Sequence, residues 1–298
     1  MAALLILATS LAALAMSAAA APRGNGDSKK PPMGWTTWCT DPTGAGAAGG
    51  GTCGGLLLAA EAAAGKPKRP EICTDSEVRS VALAMKAEGM LDAGWDRINL
   101  DDCWSSQDRD AKGWLVPVPE RFPHGMKDLV DFVHGLGFKM GLYLSGGRET
   151  CRGQIGSYGY YRQDAAAYDA WRVDYVKEDW CDAGGLDLRA EIQKRATALK
   201  AVADNRTFWY QCPCTKSMKF DCWDSKTGAP PAWIGELCDS WRFFNDHHDN
   251  WGSTSSIIEA LAVRAPFNAP GQWNDAVSTT STHLYIQAYN LARACEPG

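Results

Sequence analysis

Lys139-Met-Gly-Leu-Tyr-Leu144 runs into Ser145-Gly-Gly147, and further on Val173-Asp-Tyr-Val176 runs into Lys177-Glu178-Asp179. Each is a short apolar run of strand character that stops at a polar tip, and a helical pattern from about Gln163 to Trp171 lies between them. Working outward, the same order repeats toward the N-terminus. Met126, Leu129, Val130, Val133 and Leu136 share one helical face that closes at Gly137. Before it, Ile98-Asn99-Leu100 ends in Asp101-Asp102-Cys103-Trp104. Before that, Thr74-Asp-Ser-Glu77 reads as a capping box, with Val78, Val81 and Met85 at helical spacing and Gly94 as a stop. Strand, polar tip, helix, strand is β/α alternation, which implies parallel strands. In a closed (β/α)₈ TIM barrel the C-terminal strand ends carry the active site, so polar residues gathered there point to an enzyme. A doubly wound open sheet also alternates, but no G-x-G-x-x-G follows a first strand and no P-loop is present, so nucleotide binding is poorly supported.

Composition agrees with a globular α/β protein. The 298 residues are 45% hydrophobic and 22% charged with 30 Gly and 15 Pro, which excludes disorder, collagen and coiled coil for the bulk of the chain. A net charge of −5 argues against a nucleic-acid partner or an anionic-membrane surface. Two counts stand out: 13 Trp against 8 Phe, and an odd number of cysteines, 11.

The first 21 residues have the apolar h-region and small-residue exit of a secretory signal peptide, with cleavage expected around Ala19–Ala21, although a basic n-region is lacking; the alternative is a signal anchor. Nothing later is apolar enough to cross a bilayer, so no membrane association is expected after signal removal. In a secreted chain the cysteines read as disulfides. Residues 41–70 hold 8 Gly and 8 Ala and read as an inserted loop within a barrel domain spanning 31–298. Asn205-Arg206-Thr207 is either a glycan acceptor or a loop-to-strand junction.

Four strand ends deliver carboxylates: Asp101/Asp102, Asp179, Asp246 and Asp275. Trp35, Trp38, Trp104, Trp180, Trp241, Trp251 and Trp273 fall beside them, and flat rings with nearby acids suit sugar recognition. A glycosidase needs two carboxyl groups across the scissile bond, in environments that set their proton affinities apart. Lys177 shares a strand face with Asp179 and is expected to hold it ionised, as a nucleophile requires. Arg242, four residues before Asp246, is expected to orient substrate or a neighbouring acid. Two carboxyls suffice for this chemistry, so no metal and no organic cofactor are implied.

Met33-Gly-Trp-Thr-Thr-Trp38, Asn99-Leu-Asp-Asp-Cys-Trp104, Val173-Asp-Tyr-Val-Lys-Glu-Asp179, Ser240-Trp-Arg-Phe-Phe-Asn-Asp246 and Gly271-Gln-Trp-Asn-Asp275 occur in the order of glycoside hydrolase family 27. That family comprises secreted α-galactosidases (melibiases) and α-N-acetylgalactosaminidases, and the resemblance runs from about Pro31 to the end of the chain. It implies a retaining mechanism acting on terminal α-D-galactosyl residues, with Asp179 as nucleophile and Asp246 as acid/base. Asp101 and Asp102 would bind the 4- and 6-hydroxyls, and Trp38, Tyr143, Lys177 and Arg242 match further sugar-contacting positions. The resemblance also implies disulfides Cys151–Cys181 and Cys212–Cys238, and a pairing of Cys103 with Cys39, Cys53 or Cys73.

There are departures from the family pattern. Gly34-Trp-Thr-Thr-Trp38 replaces G-W-N-S-W, Pro213 stands after Cys212 where the family has Glu or Ser, and Val277 replaces a substrate-binding acid. Strand tips at Trp38, Asp102, Ser145, Asp179, Gln211, Asp246 and Asp275 count seven. The barrel is therefore expected to be cut short after about seven β/α units, inside a helix from Thr282 to about Ala294, with the family's C-terminal β domain absent. The leading expectation is a secreted or lumenal (lysosome or vacuole) α-galactosidase-type hydrolase with an α-galactoside as its partner. Alternatives are the same fold acting on α-N-acetylgalactosamine or β-L-arabinopyranose, and a catalytically inactive carbohydrate-binding relative.

Overall fold

The computed structural model describes residues 29–37, 73–203, 208–214, 223–224, 227–246 and 251–275. The signal-like segment, Trp38, the inserted loop, Asn205, Val277 and the segment from Thr282 to Ala294 lie outside them.

Seven strands form one parallel sheet: β1 (Gly34–Thr36), β2 (Arg97–Leu100), β5 (Lys139–Ser145), β6 (Tyr175–Asp179), β7 (Trp209–Cys212), β8 (Ser240–Arg242) and β9 (Trp273–Asp275). They neighbour one another in chain order, and every pairing is parallel. This is the progression of a (β/α)₈ barrel, and the sheet curls accordingly. The helices between the strands are α1 (Asp75–Ala87), α2 (Gly125–Gly135), α3 (Tyr161–Trp171), α4 (Leu188–Val202), α5 (Ile234–Leu237) and α6 (Trp251–Arg264). An antiparallel hairpin, β3 (Ser105–Arg109) with β4 (Leu115–Pro117), is inserted after β2. Its sequence carries little strand signal, because β3 is polar throughout and β4 is only the three residues Leu-Val-Pro.

The local reasons follow the sequence closely. The Thr74 hydroxyl accepts from the Glu77 N–H at 3.3 Å, capping α1, whose Val78, Ala82 and Met85 are buried. On α2, Met126, Leu129, Val130 and Val133 are 1% exposed or less. Helix α4 carries an Asp187 cap, whose carboxylate accepts from Ala190 N at 2.7 Å. Its apolar pattern is weak because it buries Glu191 and Arg195 beside Leu188, Ile192 and Leu199.

Strand alternation divides the side chains into two sets. Ile98, Leu100, Met140, Leu142, Leu144 and Val176 face the helices and belong to the main core. Arg97, Tyr175, Trp209 and Trp273 face the barrel interior. The three aromatics form a separate buried cluster, and the Arg97 guanidinium lies 4.8 Å from the Trp209 ring. This cluster plugs the lower end, so a site can open only at the strands' C-terminal ends. Gly34 allows β1 to approach β2: a Cβ there would lie 2.3 Å from the Arg97 carbonyl oxygen.

Candidate active site

The carboxylates converge at the C-terminal end of the sheet. Asp101 follows β2 and is 3% exposed; its backbone N–H donates to the Thr37 hydroxyl at 2.8 Å. Its Oδ2 accepts from Lys177 Nζ at 2.5 Å, across β5. Asp102 is 2% exposed, and its Oδ2 accepts from the Arg152 backbone N–H at 2.8 Å. Burial chiefly, with the charges of Asp101 and Asp179 beyond it, pushes Asp102 up to about 6 despite hydrogen bonds from Thr150 and Arg152. Tyr143 stands among three acids. Burial first, then Asp179, Asp102 and Asp101, hold its phenol well above the ordinary value and therefore protonated.

Asp179 ends β6 and Arg242 ends β8. Arg242 Nη1 donates to Asp179 Oδ1 at 3.0 Å, and Nη2 donates to Asp246 Oδ1. One planar guanidinium thus holds both acids, using the fork geometry peculiar to arginine. Burial by itself would lower Arg242, but Asp179, Asp246 and Asp275 outweigh it and keep the group charged. Asp179 is buried, whereas the Asp246 side chain is 46% exposed, so the two carboxylates sit in contrasting environments. Asp275, on β9, is level with Arg242 in the strand register.

One expectation is sharpened and one needs correction. Lys177 hydrogen-bonds Asp101 while its charge also acts on Asp179, and Arg242 makes the direct ion pair with Asp179. A shared strand face brings Lys177 near both acids, and its long side chain reaches across β5 to end on Asp101, two strands away. The tryptophans do not line the site as a set. Trp241 points outward and donates to Asn274 Oδ1 at 3.0 Å, Trp273 belongs to the lower plug, and Trp104 is 1% exposed with its ring edge-on to Trp171. Trp251 is 75% exposed at the start of α6.

Disulfides join Cys151 to Cys181, Cys212 to Cys238, and Cys103 to Cys73. Cys151 Sγ lies 3.8 Å from Asp179 Oδ2 and accepts from Tyr143 Oη at 3.2 Å, so the first of these forms part of the site wall. Cys214 is also disulfide-bonded. Sequence reasoning overlooked the Arg152 backbone N–H, which no residue type signals, and the Thr37 hydroxyl, which lies 64 residues from Asp101. Among the described residues no helix is long and apolar enough to cross a membrane.

A family model described as alpha galactosidase A matches residues 65–289. The alpha-galactosidase of Cyamopsis tetragonoloba is 32% identical over 252 residues, covering 84% of this chain and 52% of that protein. The alpha-N-acetylgalactosaminidase of Gallus gallus is 33% identical over 267 residues, covering 84% of this chain and 57% of that one. The solved structure of alpha-galactosidase I from Mortierella vinacea superposes with a TM-score of 0.64 at 26% identity, covering 85% of this chain and 60% of that chain. The chain therefore spans somewhat over half the length of these relatives.

Proposed function

Because the chain belongs to the alpha galactosidase A family, we propose that it is a retaining glycoside hydrolase cleaving terminal α-D-galactosyl residues. The observation that carries this is the Arg242 guanidinium held between Asp179 and Asp246, beside the Asp101–Lys177 pair. In this mechanism Asp179 attacks the anomeric carbon while Asp246 gives a proton to the departing glycosidic oxygen. Water then attacks the glycosyl-enzyme, Asp246 takes its proton, and the Asp179 carboxylate is released. Asp101 and Asp102 accept from the sugar hydroxyls, with Lys177, Tyr143 and Trp38 as further contacts. No step calls on a metal or organic cofactor. The disulfides suit an oxidising compartment, so the protein is assigned to a secreted or vacuolar/lysosomal destination reached by a cleaved signal at residues 1–21. The rest of the chain, with its 41–70 insertion, is taken as the barrel domain.

A second reading, with α-N-acetylgalactosaminides as substrate, is favoured by the similarity to the Gallus enzyme; Pro213 after Cys212 can make neither the Glu nor the Ser contact and so does not choose between them. Hydrolysis of 4-nitrophenyl α-D-galactoside and its 2-acetamido analogue, with the product anomer read by NMR, tests both. The expected result is retained α-configuration on the galactoside and loss of turnover in Asp179→Asn. Galactose binding without turnover by the folded chain would instead favour a carbohydrate-binding relative.

A further inference from the structure

The chain leaving β5 folds back on itself before it enters α3. The Gly156 N–H donates to the Arg148 carbonyl at 2.7 Å, Glu149 and Ile155 form an antiparallel bridge, and the Thr150 N–H donates to the Gln154 carbonyl at 2.8 Å. The Thr150 hydroxyl accepts from the Gln154 N–H at 3.0 Å and closes the turn. The tip of this small hairpin faces the site. There the Arg152 N–H donates to Asp102 Oδ2 at 2.8 Å, and Cys151 Sγ lies 3.8 Å from Asp179 Oδ2. A backbone donor can orient a carboxylate only as well as its own segment is fixed.

The hold on this hairpin comes from β3. Gln107 Nε2 donates to the Gly153 carbonyl at 2.8 Å. Arg109 Nη2 donates to the Gly156 carbonyl and Nη1 to the Gly113 carbonyl, each at 2.8 Å. Both arms also donate to the Asp164 carboxylate on α3, at 2.5 and 3.3 Å, and the guanidinium lies 4.1 Å from the Tyr160 ring centroid. The Arg109 and Asp164 side chains are 6% and 1% exposed. One buried planar cation thus ties the β3–β4 hairpin, α3 and the 148–156 hairpin together, a set of bonds that a lysine's single point donor cannot reproduce. Asp179 has its own restraint in Arg242, so the hold bears chiefly on Asp102. We propose that Arg109 is a positioning residue, acting through the 148–156 hairpin to fix the Asp102 carboxylate for the sugar. This rests on the function proposed above, in which Asp102 accepts from a sugar hydroxyl.

The test is steady-state hydrolysis of 4-nitrophenyl α-D-galactoside by the full chain, comparing wild type, Arg109→Lys and Gln107→Ala. Thermal melts establish folding, and hydrogen exchange of peptides spanning 148–156 is read by mass spectrometry. Arg109→Lys keeps a cation against Asp164 but cannot reach three partners at once. It is expected to raise KM about 10-fold with kcat within about threefold, as loss of uniform sugar binding does, and to speed exchange at 148–156. A merely structural role would shrink the folded fraction and so lower kcat at unchanged KM, and that result overturns the proposal. Unchanged kinetics overturn it too, and so does a raised KM with unchanged exchange, since the hairpin would then not be the route. Gln107 is exposed, and Gln107→Ala should raise KM about threefold. If Arg109→Lys does not fold, an unchanged KM in Gln107→Ala overturns the proposal. In each of these cases wild-type turnover leaves the hydrolase reading standing, whereas a folded wild type without turnover overturns both.

Discussion

Arg242 Nη1 donates to Asp179 Oδ1 at 3.0 Å, while the same guanidinium's other arm is bonded to Asp246. The expected nucleophile and the expected acid/base are thus held by one planar cation. Arg242→Lys keeps the charge but supplies a single point donor, which cannot hold both carboxylates in one plane. The expected outcome is a fall in kcat/KM of about 100-fold, of the size that misplacing a reacting group produces. Initial rates together with thermal melts check this; unchanged rates in the folded variant would show that the bridge is dispensable.

Asp102 makes stability depend on pH. Its folded value, raised by burial from 3.8 to about 6, means that the folded state holds this proton more tightly than the unfolded chain. The associated stabilisation is complete below about pH 4 and is lost as pH rises through about 6, amounting to about 3 kcal/mol by linkage. Asp102→Asn removes the titration, so wild type and variant should diverge by roughly that amount between pH 4 and pH 7. Urea unfolding at four pH values measures it. Parallel curves would contradict it.

Behind the site lies a buried ladder of charge. Arg109 donates to Asp164 at 2.5 Å, Asp164 faces Arg195, and Arg195 Nε stands 3.2 Å from Glu178 Oε2, which also accepts from Tyr210 Oη. Glu178 is 0% exposed and directly precedes Asp179, on the opposite face of β6. Glu178→Gln or Arg195→Met leaves one buried partner unbalanced and should cost about 3–5 kcal/mol each. The double variant should cost less than the sum by about 1–3 kcal/mol. Strict additivity in a denaturation cycle would show that the two do not interact.

The Cys151–Cys181 disulfide closes a 30-residue separation and borders Asp179. Replacing both cysteines with serine should lower unfolding free energy by about 3–4 kcal/mol through the freer unfolded chain. It should also reduce kcat, because Tyr143 and Asp179 lose a fixed neighbour. A stability loss with kcat intact would assign the bridge to the fold alone.

Much of the fold was legible because β/α alternation leaves a strong local signature. The runs 139–144 and 98–100, the α2 face from Met126 to Val133 and the Thr74 cap all follow from period and turn chemistry. The β3–β4 hairpin and α4 were not legible, since the first pairs a polar strand with a three-residue Leu-Val-Pro strand and the second buries Glu191 and Arg195 on its inner face. Their stability comes from partners distant in sequence, such as Asp164 for Arg109 and Glu178 for Arg195.

By itself, the sequence determined which acids stand at the strand ends, because period-two alternation sends Lys177 and Asp179 inward and Glu178 outward on any parallel strand. The tertiary structure alone decided which partner each group meets. Lys177 reaches Asp101, Arg242 takes Asp179 and Asp246 together, Cys103 bonds to Cys73, and most of the tryptophans turn to the core or the lower plug. These pairings depend on the register and curl of neighbouring strands. Those are set by packing across the whole sheet rather than by any residue's own neighbours in the chain.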